Sequence, residues 1–190
     1  RDVAPSRGLG DVYKRQDFKE LYPDISFELF EYGSIRAANM VQEGKLDLAL
    51  VNMHFYEIDK LNSFTVMNDK IVFCVSKSHP LAKCHEVTIE MIKNEPLIMY
   101  NTDSVQNETL DTAFKRAGVN PNVILHASQL YTIRNFICNN LGGAFLYSSL
   151  QKNLSGTTGI PISPVINQNI GIVWKLSLIH ISEPTRRSYI

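Results

Sequence analysis

Four short clusters with polar residues in this 190-residue chain stand directly after apolar runs, three of them where a helical pattern begins. Gly33-Ser34 follows FELFEY, Asn52-Met53 follows LDLALV, Tyr100-Asn101-Thr102 with Ser104 follows PLIM, and Ser128-Gln129 follows VILHA. Hydroxyls, amides and the free N–H groups of a first helical turn exchange hydrogen bonds without making covalent ones, so their chemistry is recognition of a small polar or anionic molecule. Each cluster also has a structural reading. Ser34, Ser104 and Ser128 can cap helices, and Asn52 can form a turn. For Gln129 the cap beside it is the primary expectation and ligand contact the secondary one. Covalent chemistry has little to stand on. His54, His79, His85 and His126 are scattered, His79 belongs to a turn in SHPLA, and Asp47 and Asp111 fall at structural or surface positions. No G-x-S-x-G elbow, phosphate-cradling glycine loop or HExxH stands in the chain. The expectation is no catalytic residue, no enzyme activity, no metal site and no cofactor. Cys74, Cys84 and Cys138 are odd in number and widely spaced, which reads as buried reduced thiols, and Cys84-His85 lacks a second ligand pair at zinc spacing.

The elements that must position these clusters alternate between strand and helix signals, which predicts parallel strands joined by helices. Residues 18–22 read as a helix stub stopped at Pro23, and 26–30 as a strand. Ser34 opens a helix with Ala37, Ala38 and Val41 inward and Gly44 as its left-handed stop. Residues 46–51 and 70–76 read as buried strands. After His79-Pro80 the pattern restarts. A strand spans 97–100, and Ser104 opens a helix with Leu110, Ala113, Phe114 and Ala117 inward and Gly118 at its end. Another strand covers 123–126. Ser128 caps a helix with Leu130, Ile133, Phe136, Ile137 and Leu141 inward, ended by Gly142-Gly143. Residues 144–147 return to the sheet, 153–164 read as a connection, and 170–174 form a last strand. Two similar sets joined near 75–80, with a return near 160–165, predict two lobes and a cleft, with ligand at strand ends beside helix N-termini.

The chain ends are set apart from these elements. Ser6–Gln16 reads SRGLGDVYKRQ and residues 176–186 read LSLIHISEPTR, and one codon choice for the first has a reverse complement that translates into the second. Such a repeat belongs to DNA and resembles a translated sequencing adapter, so 1–16 and 176–190 are expected to be non-native tails. Between them stand 13 basic and 16 acidic residues, without the basic excess of a nucleic-acid-binding domain. No apolar run approaches the ~18 residues of a membrane span.

In order, FKELYPDISFELFEYGS, EGKLDLALVN, FCVSKSHPLA, TLDTAFKRAG and LGGAFLYSSL resemble the effector domains of LysR-type transcriptional regulators, over nearly all of 17–175. The resemblance implies an α/β, two-lobed type 2 periplasmic-binding-protein-like fold, incomplete in lobe I. Lobe I takes 17–75 and 162–175, and lobe II takes 76–161. Its first strand and effector-binding loop are expected before Asp17 and its closing helix after Lys175. It implies a bacterial, cytoplasmic sensor with a small-molecule effector bound at Gly33, Ser34, Asn52, Met53, Tyr100, Asn101, Thr102, Ser104 and Gln129. It also implies self-association as a homodimer or tetramer, pairing the segment near 18–30 with the 128–141 helix, and DNA contact only through a helix-turn-helix domain absent from this chain. The alternative is a transport solute-binding protein of the same fold; an enzyme on that scaffold would need an acid–base set in the cleft.

Overall fold

A strand that passes from one sheet to another must satisfy two environments, and residues 62–76 show the change in their composition. The computed structural model describes residues 20–26, 28–54, 61–102 and 104–175; both predicted tails lie outside them. The segment ending at Glu31 and the body from Tyr32 onward are separate compact units. In the first, Glu20 and Leu21 are helical and the chain turns at Pro23-Asp24, where Ile25 N–H donates to the Tyr22 carbonyl at 3.1 Å. The strand expected at 26–30 is not formed at 26 or 28–30, and Leu29 and Phe30 are exposed. β-propensity reports a fit to a paired, half-buried surface, and those residues join no ladder.

In the body, α1 (Ser34–Gln42) leads to β1 (Leu48–Asn52) and then to the long β2 (Asn62–Ser76). A 3₁₀ turn (Pro80–Lys83), β3 (Val87–Thr88), β4 (Pro96–Met99), α2 (Val105–Ala117), β5 (Asn122–His126), α3 (Leu130–Cys138) and β6 (Gly143–Tyr147) follow. The short α4 (Ser148–Gln151), β7 (Thr157–Ser163) and β8 (Asn167–Trp174) complete the order. Strands run β1-β8-β2-β6-β4-β5, with β7 against β2 and β3. Residues 62–70 of β2 pair with β8, and 71–76 pair with β6 and β7. The 15 residues of β2 therefore reach roughly 50 Å at about 3.3 Å per residue and serve both sheets. Its second half is buried on both faces. Ile71, Phe73 and Val75 enter one cluster, with Leu110, Phe114 and Phe145, while Val72 and Cys74 enter another, with Ile133 and Ile137. That double burial is why IVFCV is an unbroken apolar run. A third cluster joins Ala37, Ala38 and Val41 of α1 to Ala49, Val51 and Val173.

Several expectations are corrected. Among the described residues only β4–β5, β4–β6 and β3–β7 are parallel; β1–β8, β2–β8, β2–β6 and β2–β7 are antiparallel, because β2, which serves both sheets, and β8, which lies between β1 and β2, run against the direction of their neighbours. β1 is buried on one face only, with Leu48 and Leu50 exposed on the other. Residues 157–163, read as connection, form β7. Its Gly and Pro mark close approach, since a Cβ on Gly159 would sit 2.7 Å from the Gln151 side chain, and Ile160 and Ile162 fill the largest cluster. Ala117 and Leu141 are exposed because each helix has turned or ended before them. α3 stops at Cys138 with Asn140 in the left-handed region (φ 56°), ahead of the Gly142-Gly143 stop expected. A short amide side chain tolerates that conformation. Gly44 (φ 75°) and Gly118 (φ 67°) hold the left-handed stops expected of them.

Of the three expected serine caps, only Ser104 forms. Its Oγ accepts from Asn107 N–H at 3.1 Å, and Ser104→Ala should destabilise the domain by about 1 kcal/mol, read as a lower urea midpoint at unchanged slope. Ser34 is the first residue of α1, with Gly33 at the cap, and α3 is capped by the extended backbone of Gln129 without a side-chain bond.

Candidate functional site

The Ser34 hydroxyl, released from capping, accepts the backbone N–H of Asn52 at 3.0 Å and so ties the start of α1 to the end of β1. Asn52 is the hub. It is 3% exposed, and its Nδ2 donates to the Tyr147 hydroxyl at 2.9 Å and to Gln168 Oε1, while its Oδ1 accepts His54 N–H at 3.0 Å. Gln168 is fully buried and spends its Nε2 on the Asn167 carbonyl at 2.7 Å. Both amide protons of Asn52 are committed, so its partners are fixed in direction. Burial raises the Tyr147 pKa above the usual phenol value, the bond from Asn52 lowers it, and nearby Asp69 raises it further. Tyr147 is thus a neutral phenol whose oxygen already accepts and whose own O–H can donate. Asp69 also accepts from the Ser149 hydroxyl at 2.5 Å, anchoring the residue beside the sheet change in β2 to α4.

Ser104 and, before it, residues 100–102 are delivered by α2. Val105, the first residue of that helix, is buried in the cluster of α1 and β1, which carries Ser104 toward the same region as Ser34. Gln106 is buried and donates to the Phe145 carbonyl at 2.8 Å; Asn107 is buried with its Oδ1 unpartnered. Asn101 and Thr102 are exposed, and the Asn101 carbonyl accepts Ser104 N–H at 3.0 Å. The Tyr100 carbonyl is 3.0 Å from His126 Nδ1, and its ring packs against the cluster of Ile133 and Ile137. Met53 is held by Asn169 through its N–H at 2.8 Å and lays its sulfur over Gly171, where a Cβ would come within 2.3 Å. Of the nine expected site residues, Ser34 and Asn52 are bonded to each other. Gly33 and Ser104 stand beside the joined cluster, and Gln129 is an exposed cap outside the network.

Tyr147, Gln168, Gln106 and Asn107 were not among the expected residues. Tyr147 ends an apolar strand at a helix start, the signal used for the other clusters, and could have been found by it. Gln168 lies in a polar NQN run whose burial no periodicity reveals. A cavity of about 910 Å³ lies elsewhere, on the flank of α2. Its wall includes Gln168 but none of the nine expected residues. A smaller one of about 460 Å³ runs along α1 and includes Gly33. Among the described residues no cluster of His, Cys, Asp and Glu could hold a metal ion, and no helix is long and apolar enough to cross a membrane. Cys74 is buried, with burial pushing its thiol pKa well above the usual value, whereas Cys84 and Cys138 are half-buried, against the expectation of three buried thiols; all three are unpaired. His79 holds its turn, its Nδ1 accepting Leu81 N–H at 3.2 Å and its Nε2 lying 3.4 Å from Glu95.

Residues 15–177 match the family described as the LysR substrate binding domain. The chain belongs to that family. The uncharacterized HTH-type transcriptional regulator YwbI of Bacillus subtilis (strain 168) is 33% identical over 162 residues, which are 84% of this chain and 54% of that protein. The HTH-type transcriptional regulator CysB of Haemophilus influenzae is 30% identical over 69% of this chain and 41% of its own. The chain therefore spans about half the length of the curated relatives it matches. Among solved structures, the Synechocystis PCC6803 CcmR regulatory domain in complex with 2-PG superposes with a TM-score of 0.78 at 20% identity, covering 89% of this chain and 83% of that one. The LysR substrate-binding domain is an α/β fold of the periplasmic-binding-protein kind, as the resemblance implied, and its work in this family is effector sensing for transcriptional regulators. The relatives are regulators, so the transport alternative is set aside.

Proposed function

We propose that this chain is the sensing part of a longer cytoplasmic DNA-binding regulator, and that a small molecule binds where the Ser34–Asn52–Tyr147 network meets residues 100–102 and Ser104. The observation that carries this reading is the bonding of Ser34, Asn52 and Tyr147 from three separate elements into one group with hydroxyl protons to spare. Bound acceptors such as carbonyl or carboxylate oxygens would take those protons, and the first turn of α2 would add its free N–H groups. The nine expected residues remain the candidates, with Tyr147 added. The effector acts by favouring one arrangement of the two sheets over another, a population shift that self-association then passes to DNA-binding segments outside this chain. The acidic balance between the tails fits a domain that does not itself grip DNA. No catalytic role is assigned to any residue. Exposed apolar side chains on both expected pairing segments, Leu21, Leu29 and Phe30 on one and Tyr131 on the other, support a homodimer or tetramer.

The test is a thermal-shift screen of small organic acids and amino acids on the full chain, followed by Thr102→Ala and Tyr147→Phe. Thr102 is preferred to Ser104 because it is exposed and caps nothing. A compound that raises the Tm of the parent should lose roughly tenfold in affinity in each variant, the worth of one hydrogen bond to a polar ligand. Unchanged affinity in both variants would overturn the site.

A further inference from the structure

The cavity of about 910 Å³ on the flank of α2 contains none of the residues assigned above to the effector, although Gln168 of the Asn52 network backs onto it. We infer that it is a second ligand site, taking a small organic carboxylate with an apolar body. Its floor is fixed: Ile89 and Ile162 belong to the largest core cluster, with Ile166 packed against it, so the space does not close by side-chain collapse. Thr109 and Thr112 line it as well, but each donates its hydroxyl proton back to its own helix, to the Val105 carbonyl at 2.8 Å and the Glu108 carbonyl at 2.9 Å. Those hydroxyls offer a ligand acceptors and methyl groups, and no proton.

The charge at the rim decides the class of ligand. Glu90 is the acidic side chain of the lining, and its carboxylate lies 2.5 Å from Lys93 Nζ, which neutralises it locally. Arg116 is exposed at the rim, and among the described residues no ion pair or hydrogen bond engages its guanidinium. An always-charged planar fork beside an apolar floor fits a carboxylate bound in two contacts with its hydrocarbon part inward. An apolar neutral molecule would gain the floor but not the fork, and a cation would meet Arg116.

Benzoate titrated into the ¹⁵N-labelled full chain should shift the amides of 109–116 and 162–168 saturably at about millimolar concentration, in keeping with a ligand of its size. Arg116→Gln, a surface change that leaves the floor intact, should weaken binding roughly tenfold. Ala113→Leu, which fills the floor, should remove it, and benzyl alcohol should bind equally poorly to parent and Arg116→Gln. Absence of a saturable shift, or equal benzoate affinity in Arg116→Gln, overturns the proposal. Shifts confined to 34, 52, 100–104 and 147 overturn it too, and would place benzoate at the effector site. Failure here leaves that site untouched, because the variants differ.

Discussion

Phe145→Ala should lower the unfolding free energy by about 3–5 kcal/mol, the range for emptying an aromatic side chain from a core that cannot collapse around the gap. Phe145 is 1% exposed in the middle of β6, with its ring 5.2 Å from Phe73 and in edge contact with Phe114 at 5.9 Å. The aromatic contacts add to the burial term, and the site is flanked by Gly143, where even a Cβ would come within 2.3 Å of the Phe73 ring. Strands β2 and β6 pair through this position, Phe73 opposite Phe145, so the loss falls on the ladder that carries β2 into the second sheet. Urea melts followed by far-UV circular dichroism provide the check. Leu50→Ala, at a residue 65% exposed, should stay within about 0.5 kcal/mol of the parent. Equal losses in the two variants would show that the cluster containing Phe145 does not hold the fold together.

Asn52→Leu should cost about 2–4 kcal/mol although it conserves volume. It leaves Gln168 Oε1 buried without its donor, at about 1–3 kcal/mol, and removes the bonds to the Tyr147 hydroxyl and to the N–H of the exposed His54, which together add about 1 kcal/mol more. Tyr147→Phe removes only one hydroxyl and should cost about 1 kcal/mol. Because the two residues share a bond, the double variant should cost less than the sum by 0.5 kcal/mol or more. Additivity to within about 0.3 kcal/mol would mean that the network is a set of independent contacts and that effector binding at one member is not felt at the others.

What could be read from residue order alone follows the reach of local physics. Ser104 as a cap, Gly44 and Gly118 as left-handed stops, and Ala37, Ala38 and Val41 as an inner face all depend on groups within a few residues. For the same reason KIVFCVS and AFLY could be assigned as strands. The family too was legible, since it rests on short motifs in fixed order, and the match over 15–177 agrees with it. Local reading failed where a residue had a more favourable partner far along the chain. Ser34 could cap α1, but the Asn52 amide, eighteen residues away, takes its hydroxyl. Residues 157–163 carry the Gly and Pro of a loop, yet β2 and β3 supply ladders on both sides and make them a strand.

Most helices and strands and the polar ends of those elements were thus legible in the sequence, whereas 26–30 and 157–163 were not, and the residue types at those ends are ones that exchange hydrogen bonds. Tertiary structure alone decided which ends meet. The union of Ser34, Asn52, Tyr147 and Gln168 spans 134 positions of chain and exists only because β2 pairs with β8 in one sheet and with β6 in the other, bringing groups of large sequence separation within hydrogen-bond distance. Periodicity records which face of an element is buried; it holds no record of what lies against that face.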